Sequence, residues 1–219
     1  MQTKQHQTSK LLREYTSLAV TYDQRWSAYI DASLAMTLLA LDGLPTDRVL
    51  DVACGTGQWL EILANRCDES ELFGIDRVPA MLNVAQQRIG QRATLVEADA
   101  VELPFDNGEF QLVTITNALH YFTDVDSVLT EARRVLARSG SLIITDWCRD
   151  YFWMKLLNRV LPWTQHAHGQ TLSSGELERS LTLAGFDIVC SENKKIDGFW
   201  GLMTVRAARK KHDKLSDLR

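Results

Sequence analysis

The chain has 219 residues, of which 45% are hydrophobic and 24% charged, the balance of an ordinary soluble globular protein. This composition excludes collagen-like, coiled-coil and wholly disordered chains, and the length favours one domain with a substantial core. Because 24 Lys and Arg stand against 28 Asp and Glu, the formal net charge is −4. Proteins that hold nucleic-acid backbones usually carry a basic surplus, so we expect no nucleic-acid partner.

The sequence predicts neither a membrane span nor a signal peptide. The longest apolar candidate, residues 34–41, is far shorter than the roughly 18 residues that a span needs. Residues 1–9 are polar and contain no apolar segment of the kind that opens a signal peptide. The four cysteines are scattered without a C-x-x-C pair, which is typical of reduced thiols in a cytoplasmic protein. We therefore expect a cytoplasmic location.

Short apolar runs rich in β-branched residues alternate with amphipathic stretches over the first two thirds of the chain. Such runs are typical of strands that helices bury on both faces, as in parallel sheets. Between two of them, an apolar stripe from Val128 to Leu136 predicts a one-sided helix with Thr123 as its N-cap. The alternation predicts an open α/β sheet. The predicted strands are residues 48–53, 71–76, 93–97, 111–116 and 141–145.

The pattern changes after residue 145. Five aromatic residues fall between positions 147 and 163, and they form either a lid over an apolar or aromatic acceptor or an amphipathic helix packed on the sheet. A capping-box pattern at residues 173–176 predicts a short helix. The runs at residues 186–190 and 199–205 predict an antiparallel pair on the sheet edge, and the basic stretch from residue 206 onward is expected to be solvated.

Gly55 and Gly57 follow the first predicted strand and precede a helix. Glycines at such a place let the backbone turn tightly and approach a ligand near the free N–H groups of the helix. A dinucleotide fingerprint needs a third small residue where Leu60 stands, so the fit to a pyrophosphate site is poor. An NAD(P)-dependent oxidoreductase nevertheless remains an alternative.

The stretch from Asp51 to Gly57, Asp-Val-Ala-Cys-Gly-Thr-Gly, resembles motif I of the class I S-adenosylmethionine (SAM)-dependent methyltransferases. The chain is similar to their type 11, UbiE-like branch over residues 45–190. Further matching pieces follow in the right order: Gly74-Ile-Asp76, Arg77-Val-Pro-Ala-Met81, Glu97-Ala-Asp99-Ala100 and Asn117-Ala-Leu-His120. Ala53 departs from the glycine common in the family, and Tyr121 stands where many members have a second histidine.

The resemblance implies one Rossmann-like, doubly wound domain over residues 1–219. Its mainly parallel sheet would have seven strands, with an antiparallel strand near the C-terminus. We divide this domain into a helical N-terminal cap, a cofactor-binding core, an aromatic-rich insertion or lid, a C-terminal helix with strands, and a basic tail. These parts correspond to residues 1–44, 45–146, 147–172, 173–208 and 209–219.

The cofactor implied by the resemblance is SAM, which carries an electrophilic methyl group while the protein supplies placement. Asp76 would accept hydrogen bonds from both ribose hydroxyls, since an ionised carboxylate offers paired acceptors. It lies 21 residues after Gly55, close to the usual spacing of about 20 for a ribose-binding acid. Asp99 and Ala100 would meet the adenine edge. The other predicted cofactor-binding residues are Tyr22, Asp51, Ala53, Gly55, Gly57, Arg77, Met81 and Asn117.

His120 is the predicted catalytic residue, because a neutral imidazole can accept a proton from a hydroxyl nucleophile. A role as a hydrogen-bonding wall of the pocket stays open beside it. His166 and His168 lack the further ligands that zinc needs, so no metal is expected. The predicted reaction is methyl transfer to a small molecule, apolar or aromatic if the lid covers it. A SAM-binding protein without catalysis also stays open, and the sequence does not predict the oligomeric state.

Overall fold

The computed structural model describes residues 12–160, 171–196 and 200–210. Within these ranges seven strands form one sheet in the order β3-β2-β1-β4-β5-β7-β6. The strands are β1 (Arg48–Val52), β2 (Glu71–Asp76), β3 (Thr94–Glu97), β4 (Phe110–Thr116), β5 (Leu136–Trp147), β6 (Phe186–Lys195) and β7 (Gly201–Arg209). Strands β1 to β5 pair in parallel, whereas β7 runs antiparallel to both β5 and β6. The predicted Rossmann-like sheet, with its seven strands and its reversed strand, is confirmed.

Helices cover both faces of this sheet. Residues 12–18 are helical and are called α1. The other helices are α2 (Tyr22–Leu41), α3 (Gln58–Arg66), α4 (Pro79–Ile89), α5 (Val125–Val135), α6 (Phe152–Val160) and α7 (Ser174–Leu183). Val49 packs with buried residues of α2, α3 and α4, and its neighbour Leu50 packs with those of α5 and α7. Because successive strand residues point to opposite faces, β1 contributes to two cores.

The connection from α5 to β5 differs from the prediction. Leu136 was expected to close the apolar stripe of a helix, but it begins β5 and lies opposite Phe110 of β4. The N-cap is Asp124 instead of Thr123, and its carboxylate accepts the backbone N–H of Ser127 at 3.2 Å. By sequence, Gly140 indicates a helix that runs to about residue 139, but the helix ends at Val135 because Leu136 joins the sheet.

The C-terminal part is more ordered than the composition indicates. The predicted capping box is present: Ser173 Oγ accepts the Glu176 N–H and the Glu176 carboxylate accepts the Ser173 N–H. Arg206 and Arg209 were expected in a solvated tail, but both belong to β7. Arg209 Nη1 donates to the carbonyl oxygen of Leu136 at 2.6 Å. The first basic residues of the predicted tail are therefore part of the sheet.

In the described ranges, none of the helices combines the length and the apolar character that crossing a bilayer would require. The thiols of Cys54, Cys67, Cys148 and Cys190 are all free.

Candidate active site

The candidate site lies where β1, β2 and β4 end. The chain leaves β1 toward β2 on one side, while β4 continues the sheet on the other. A crevice forms at such a reversal of strand order, outside the carboxyl ends of the strands, and ligands of α/β sheets bind there. The motifs that resemble the methyltransferase pattern lie at the ends of β1, β2 and β4 and at the end of the neighbouring β3.

The loop after β1 has a backbone that ordinary side chains disfavour. Gly55 has a φ of +54° and Gly57 a φ of +77°. A Cβ atom on Gly57 would lie 2.7 Å from Ile89 Cδ1 and 3.0 Å from Ala85 Cβ, whereas one on Gly55 would meet nothing within 4 Å. Gly57 therefore allows the loop to lie against α4, whereas Gly55 has open space beside it.

Ala53 and Asn117 are the non-glycine residues with positive φ in the described part of the chain, each at +59°. One directly follows β1 and the other directly follows β4. A left-handed conformation costs an ordinary residue about 1–2 kcal/mol, and such strain collects at ligand sites. Strained residues on both sides of the crevice support the assignment of the ligand site to this edge of the sheet.

Asp76 ties the end of β2 to the glycine loop. Its Oδ2 accepts the backbone N–H of Gly55 at 2.9 Å, and its Oδ1 accepts that of Val78 at 2.8 Å. Burial raises the pKa of Asp76, and the donated N–H groups of Val78, Gly55 and Arg77 oppose this rise. Because a carboxylate has about four lone-pair positions, these backbone N–H groups leave acceptor capacity for a ligand hydroxyl.

Asp51 is buried within β1. Thr114 Oγ1 donates to Asp51 Oδ1 at 2.8 Å, and Trp59 Nε1 donates to the same threonine hydroxyl at 3.1 Å. Burial raises the pKa of Asp51 to about 7, against the hydrogen bond from Thr114 and together with the negative charge of Asp76. The structure thus gives Asp51 a buried, hydrogen-bonded environment, and its predicted contact with the ammonium of a ligand stays a prediction.

Asn117 is held from both sides. Its backbone N–H donates to the Thr145 carbonyl oxygen at 2.8 Å. Its side-chain Oδ1 accepts the Tyr29 hydroxyl at 2.7 Å, and Nδ2 donates to Ser33 Oγ at 2.6 Å. Through these contacts α2 is fixed over the end of β4.

The predicted adenine-binding residues lie near the ends of β2 and β3. Met81 is buried together with Val78 and with Ala19 of the N-terminal segment. Asp99 forms an ion pair with Arg77, with 3.3 Å between Nη1 and Oδ2, and Ala100 beside it is buried. The structure brings these residues to one edge, and their contacts with a cofactor remain predictions.

The N-terminal segment contacts the glycine loop and α4. Asp23 accepts the Thr56 hydroxyl of the glycine loop at 2.7 Å and also pairs with Arg88 of α4. The rings of Tyr15 and Tyr22 lie 5.7 Å apart, centroid to centroid. Burial raises the pKa of Tyr22 well above its ordinary value. The sequence also predicts that Tyr15 or Tyr22 closes over a cofactor, and this stays a prediction.

His120 has a partner that the sequence reasoning missed. Its Nδ1 lies 2.6 Å from Oδ1 of Asp146, and its backbone N–H donates to Oδ2 of the same carboxylate at 3.2 Å. Both side chains are almost fully buried, at 2% and 1% exposed. The signal was available: Asp146 directly follows the apolar run of residues 141–145, as Asp76 ends the run of β2.

Aromatic rings surround the His120 side chain. The indole of Trp147 stacks on the imidazole at 4.0 Å with an interplanar angle of 9°, and Tyr121 lies at 3.9 Å. Tyr29 and Trp200 contact Trp147 at 6.1 and 4.9 Å between ring centroids. Aromatic groups from four separate parts of the chain therefore lie beside the histidine.

Of the aromatic-rich segment, one part packs in the core and another part is exposed, so neither the lid nor the packed helix describes all of it. Trp147 is a buried residue of β5, whereas Phe152 and Trp153 of α6 are exposed. Trp163, His166 and His168 lie outside the described residues. In the described ranges, no cluster of three or more His, Cys, Asp or Glu side chains is placed to hold a metal.

The left-handed glycine loop, the acid that ends β2 and the strand order define a class I methyltransferase fold. A family model described as "Methyltransferase domain" matches residues 49–140. A solved SAM-dependent methyltransferase from Thermotoga maritima, a possible histamine N-methyltransferase, superposes with a TM-score of 0.74 at 18% identity. It covers 91% of this chain and 100% of that chain. The chain therefore has the fold of the class I SAM-dependent methyltransferases and is similar to a methyltransferase domain over residues 49–140.

Two curated relatives agree with this placement. A demethylmenaquinone methyltransferase from Thermus thermophilus is 38% identical over 112 residues, which is 50% of each chain. A ubiquinone/menaquinone biosynthesis C-methyltransferase UbiE from Geobacter sp. is 34% identical over 143 residues, or 63% of this chain and 57% of the relative. The chain thus spans about half the length of the curated relatives that it matches.

Proposed function

We propose that the protein transfers a methyl group from SAM to a small-molecule nucleophile by in-line displacement. The observation that carries this proposal is the Asp76 carboxylate, which accepts the Gly55 N–H and keeps acceptor capacity at the crevice. A cofactor with a ribose diol and an amino-acid tail suits this combination of a carboxylate and an open glycine backbone. The family and the fold support the same assignment.

The residues at the strand ends have distinct roles in this proposal. Asp76 accepts the ribose hydroxyls, and Asp99 with the Ala100 N–H binds the adenine edge beside Met81. The backbone from Ala53 to Gly57 lies along the amino-acid tail. SAM supplies an electrophilic methyl group on a sulfonium, which leaves to the protein the tasks of orientation and water exclusion.

Asp51 and Asn117 complete the proposed binding of the amino-acid tail. Burial raises the pKa of Asp51 to about 7. A neighbouring ammonium would favour the ionised form of Asp51, because an opposite charge stabilises a carboxylate. Arg77, which pairs with Asp99, would hold that aspartate in place. Tyr22 and the Asp23–Thr56 hydrogen bond would keep the N-terminal segment closed over the bound nucleoside.

His120 is the proposed general base. Asp146 faces Nδ1 and thereby orients the imidazole ring, as carboxylates do for other catalytic histidines. Nε2 is then the nitrogen that accepts the proton of the acceptor molecule. His120 Nε2 would take the proton that the acceptor loses on methylation, and the sulfur of the cofactor would keep the electron pair of the broken carbon–sulfur bond.

The proposed acceptor is a planar aromatic molecule. The wall of Trp147, Tyr29 and Trp200 presents ring faces and edges beside His120, and aromatic rings pack favourably on one another at such distances. The names of the curated relatives as demethylmenaquinone and ubiquinone/menaquinone methyltransferases support an acceptor of quinone type. A cytoplasmic location stays a prediction.

The test is turnover with methyl-labelled SAM and a panel of hydroxylated aromatic acceptors, scored by release of S-adenosylhomocysteine. We expect release with at least one aromatic acceptor and none without acceptor. Binding of the cofactor without release from any acceptor would favour the non-catalytic alternative. Oxidation or reduction of a nicotinamide cofactor by the same preparation, without SAM binding, would favour the oxidoreductase.

A further inference from the structure

The outward face of α6 carries apolar side chains that the fold leaves in contact with solvent. Phe152 is 72% exposed, Trp153 46% and Leu156 44%, while Met154 on the other side of the helix is fully buried. The rings of Phe152 and Trp153 contact each other at 5.4 Å in a T-shaped arrangement. These three residues, together with the two cations described next, are called the α6 face.

Cations share this surface with the apolar groups. Lys155 and Arg159 are exposed, and α6 contains no acidic residue. With 3.6 residues per turn, Phe152, Leu156 and Arg159 form one line along the helix, and Lys155 lies beside it. The α6 face is therefore both apolar and positively charged, although the chain as a whole carries a net charge of −4.

Two carboxylates close to the α6 face in the fold, Asp150 and Glu176, form hydrogen bonds at the N-terminus of α7. The Asp150 carboxylate accepts the backbone N–H and the hydroxyl of Ser174 at 3.1 and 2.6 Å. Glu176 pairs with Arg149 and takes part in the capping box of α7. Against desolvation by burial, the hydrogen bonds from Ser174 and the charge of Lys155 lower the pKa of Asp150, so Asp150 offsets part of the positive charge of the α6 face.

The α6 face lies at the edge of the sheet that holds the candidate active site. β5 ends at Trp147, directly after Asp146, and α6 begins at Phe152. Tyr151, the residue before the helix, packs closely over Gly201 at the start of β7. The helix is thus anchored at the carboxyl edge with its exposed face turned outward.

We propose that the α6 face docks the protein onto an anionic lipid surface. Phe152, Trp153 and Leu156 would enter the boundary between headgroups and acyl chains, and Lys155 and Arg159 would lie at the lipid phosphates. Aromatic residues favour this interface, and a short amphipathic helix with cations lies in its plane. Each cation near an anionic surface adds attraction that salt screens. This proposal does not depend on the proposed function.

The experiment measures co-sedimentation of the full chain with lipid vesicles. One set contains about 70% phosphatidylcholine and about 30% phosphatidylglycerol, a composition with negative surface charge, and the other contains phosphatidylcholine alone. We expect the wild type to bind the anionic vesicles more strongly than the neutral ones, and less strongly as salt is raised.

Two double variants separate the apolar from the charged contribution. F152S/L156S should lose affinity for the anionic vesicles on the order of 100-fold, since two apolar side chains that would enter the lipid are removed. K155Q/R159Q should lose on the order of 25-fold on the anionic vesicles and little on the neutral ones. The matched control is L183S, which changes a leucine that is 80% exposed at the end of α7 and should bind like the wild type.

Several outcomes would overturn the proposal. The proposal is wrong if the wild type sediments with neither kind of vesicle, or if F152S/L156S binds the anionic vesicles as well as the wild type does. Sedimentation equilibrium that shows self-association through the α6 face, without vesicle binding, would assign this face to a second copy of the chain.

Unchanged thermal unfolding and unchanged SAM binding of all three variants would confirm that the surface, and not the fold or the active site, was altered.

Discussion

The imidazole Nδ1 of His120 lies 2.6 Å from the Asp146 carboxylate, although 26 residues separate the two in the chain. His120 follows β4 in a short 3₁₀ turn, and Asp146 belongs to the last residues of β5. Because β4 and β5 are parallel neighbours, their carboxyl ends meet at one edge of the sheet. The pair stands beside the crevice that the glycine loop opens.

The first prediction concerns this pair. H120A should lower the turnover number by about 10²–10⁴-fold, the contribution typical of a positioned general base, and D146N should lower it less because it leaves the imidazole in place. Both variants should bind SAM within about 3-fold of the wild type, since neither residue is proposed to contact the nucleoside. Single-turnover kinetics and calorimetry measure the two effects. Turnover of H120A equal to that of the wild type would make His120 a wall of the pocket.

The second prediction compares two glycines of the same loop. G57A should destabilise the fold by about 2–4 kcal/mol, because the left-handed φ is strained for alanine and the new Cβ would overlap Ile89 and Ala85. G55A is the matched control: its φ is also left-handed but its Cβ would meet nothing, so we expect about 1–2 kcal/mol. Urea unfolding measures both changes. Equal costs would contradict the close packing of the loop on α4.

The third prediction is a pH dependence of stability that arises from Asp51. Its pKa is about 7 in the folded state and about 3.9 in the unfolded chain. Between these values the folded state keeps a proton that the unfolded state has released, so the free energy of unfolding should fall as pH rises from about 4 to 7 and then level off. The contribution is on the order of 4 kcal/mol.

D51N tests this dependence. Asparagine is always neutral and still offers an oxygen to the Thr114 hydroxyl, so the variant should lose this part of the pH slope and be more stable than the wild type near pH 8. Urea unfolding of both proteins at several pH values between 5 and 8 provides the comparison. Parallel curves for wild type and D51N would show that Asp51 does not carry the raised pKa.

Much of the fold was predictable because its determinants are local. The run of residues 71–76 predicts β2 with the bounds that the structure has, since a buried parallel strand is apolar along its whole length. β5 was predicted too short, at residues 141–145, because Arg138, Ser139 and Gly140 interrupt the apolar pattern. Pairing of Leu136 with Phe110 and of Trp147 with Leu202 extends the strand at both ends, and such contacts between distant residues leave no local pattern.

The candidate site was predictable in its parts but not in its connections. Asp76 and the glycines were identified from their place after a strand, whereas the hydrogen bond between Asp76 and Gly55 appears only in three dimensions. Asp146 and the Asp23–Thr56 contact were missed because each joins segments that are far apart in the sequence. The strain at Ala53 was also missed, since a substitution of alanine for glycine looks tolerable until the φ is known.

The central claim is that Asp76 and the glycine loop bind SAM, and isothermal titration calorimetry of SAM into the wild type, D76N and E97Q tests it most directly. Asp76 and Glu97 lie side by side in the pairing of β2 with β3, so E97Q is a control at the same edge, while unfolding curves verify that D76N is folded. We predict clear binding of SAM to the wild type. The affinity of D76N for SAM should fall on the order of 100-fold, because charge-assisted hydrogen bonds to the ribose are weakened. The affinity of E97Q should change by less than about 3-fold. Absence of heat with the wild type, for SAM and S-adenosylhomocysteine alike, or equal affinities of D76N and wild type would contradict the account.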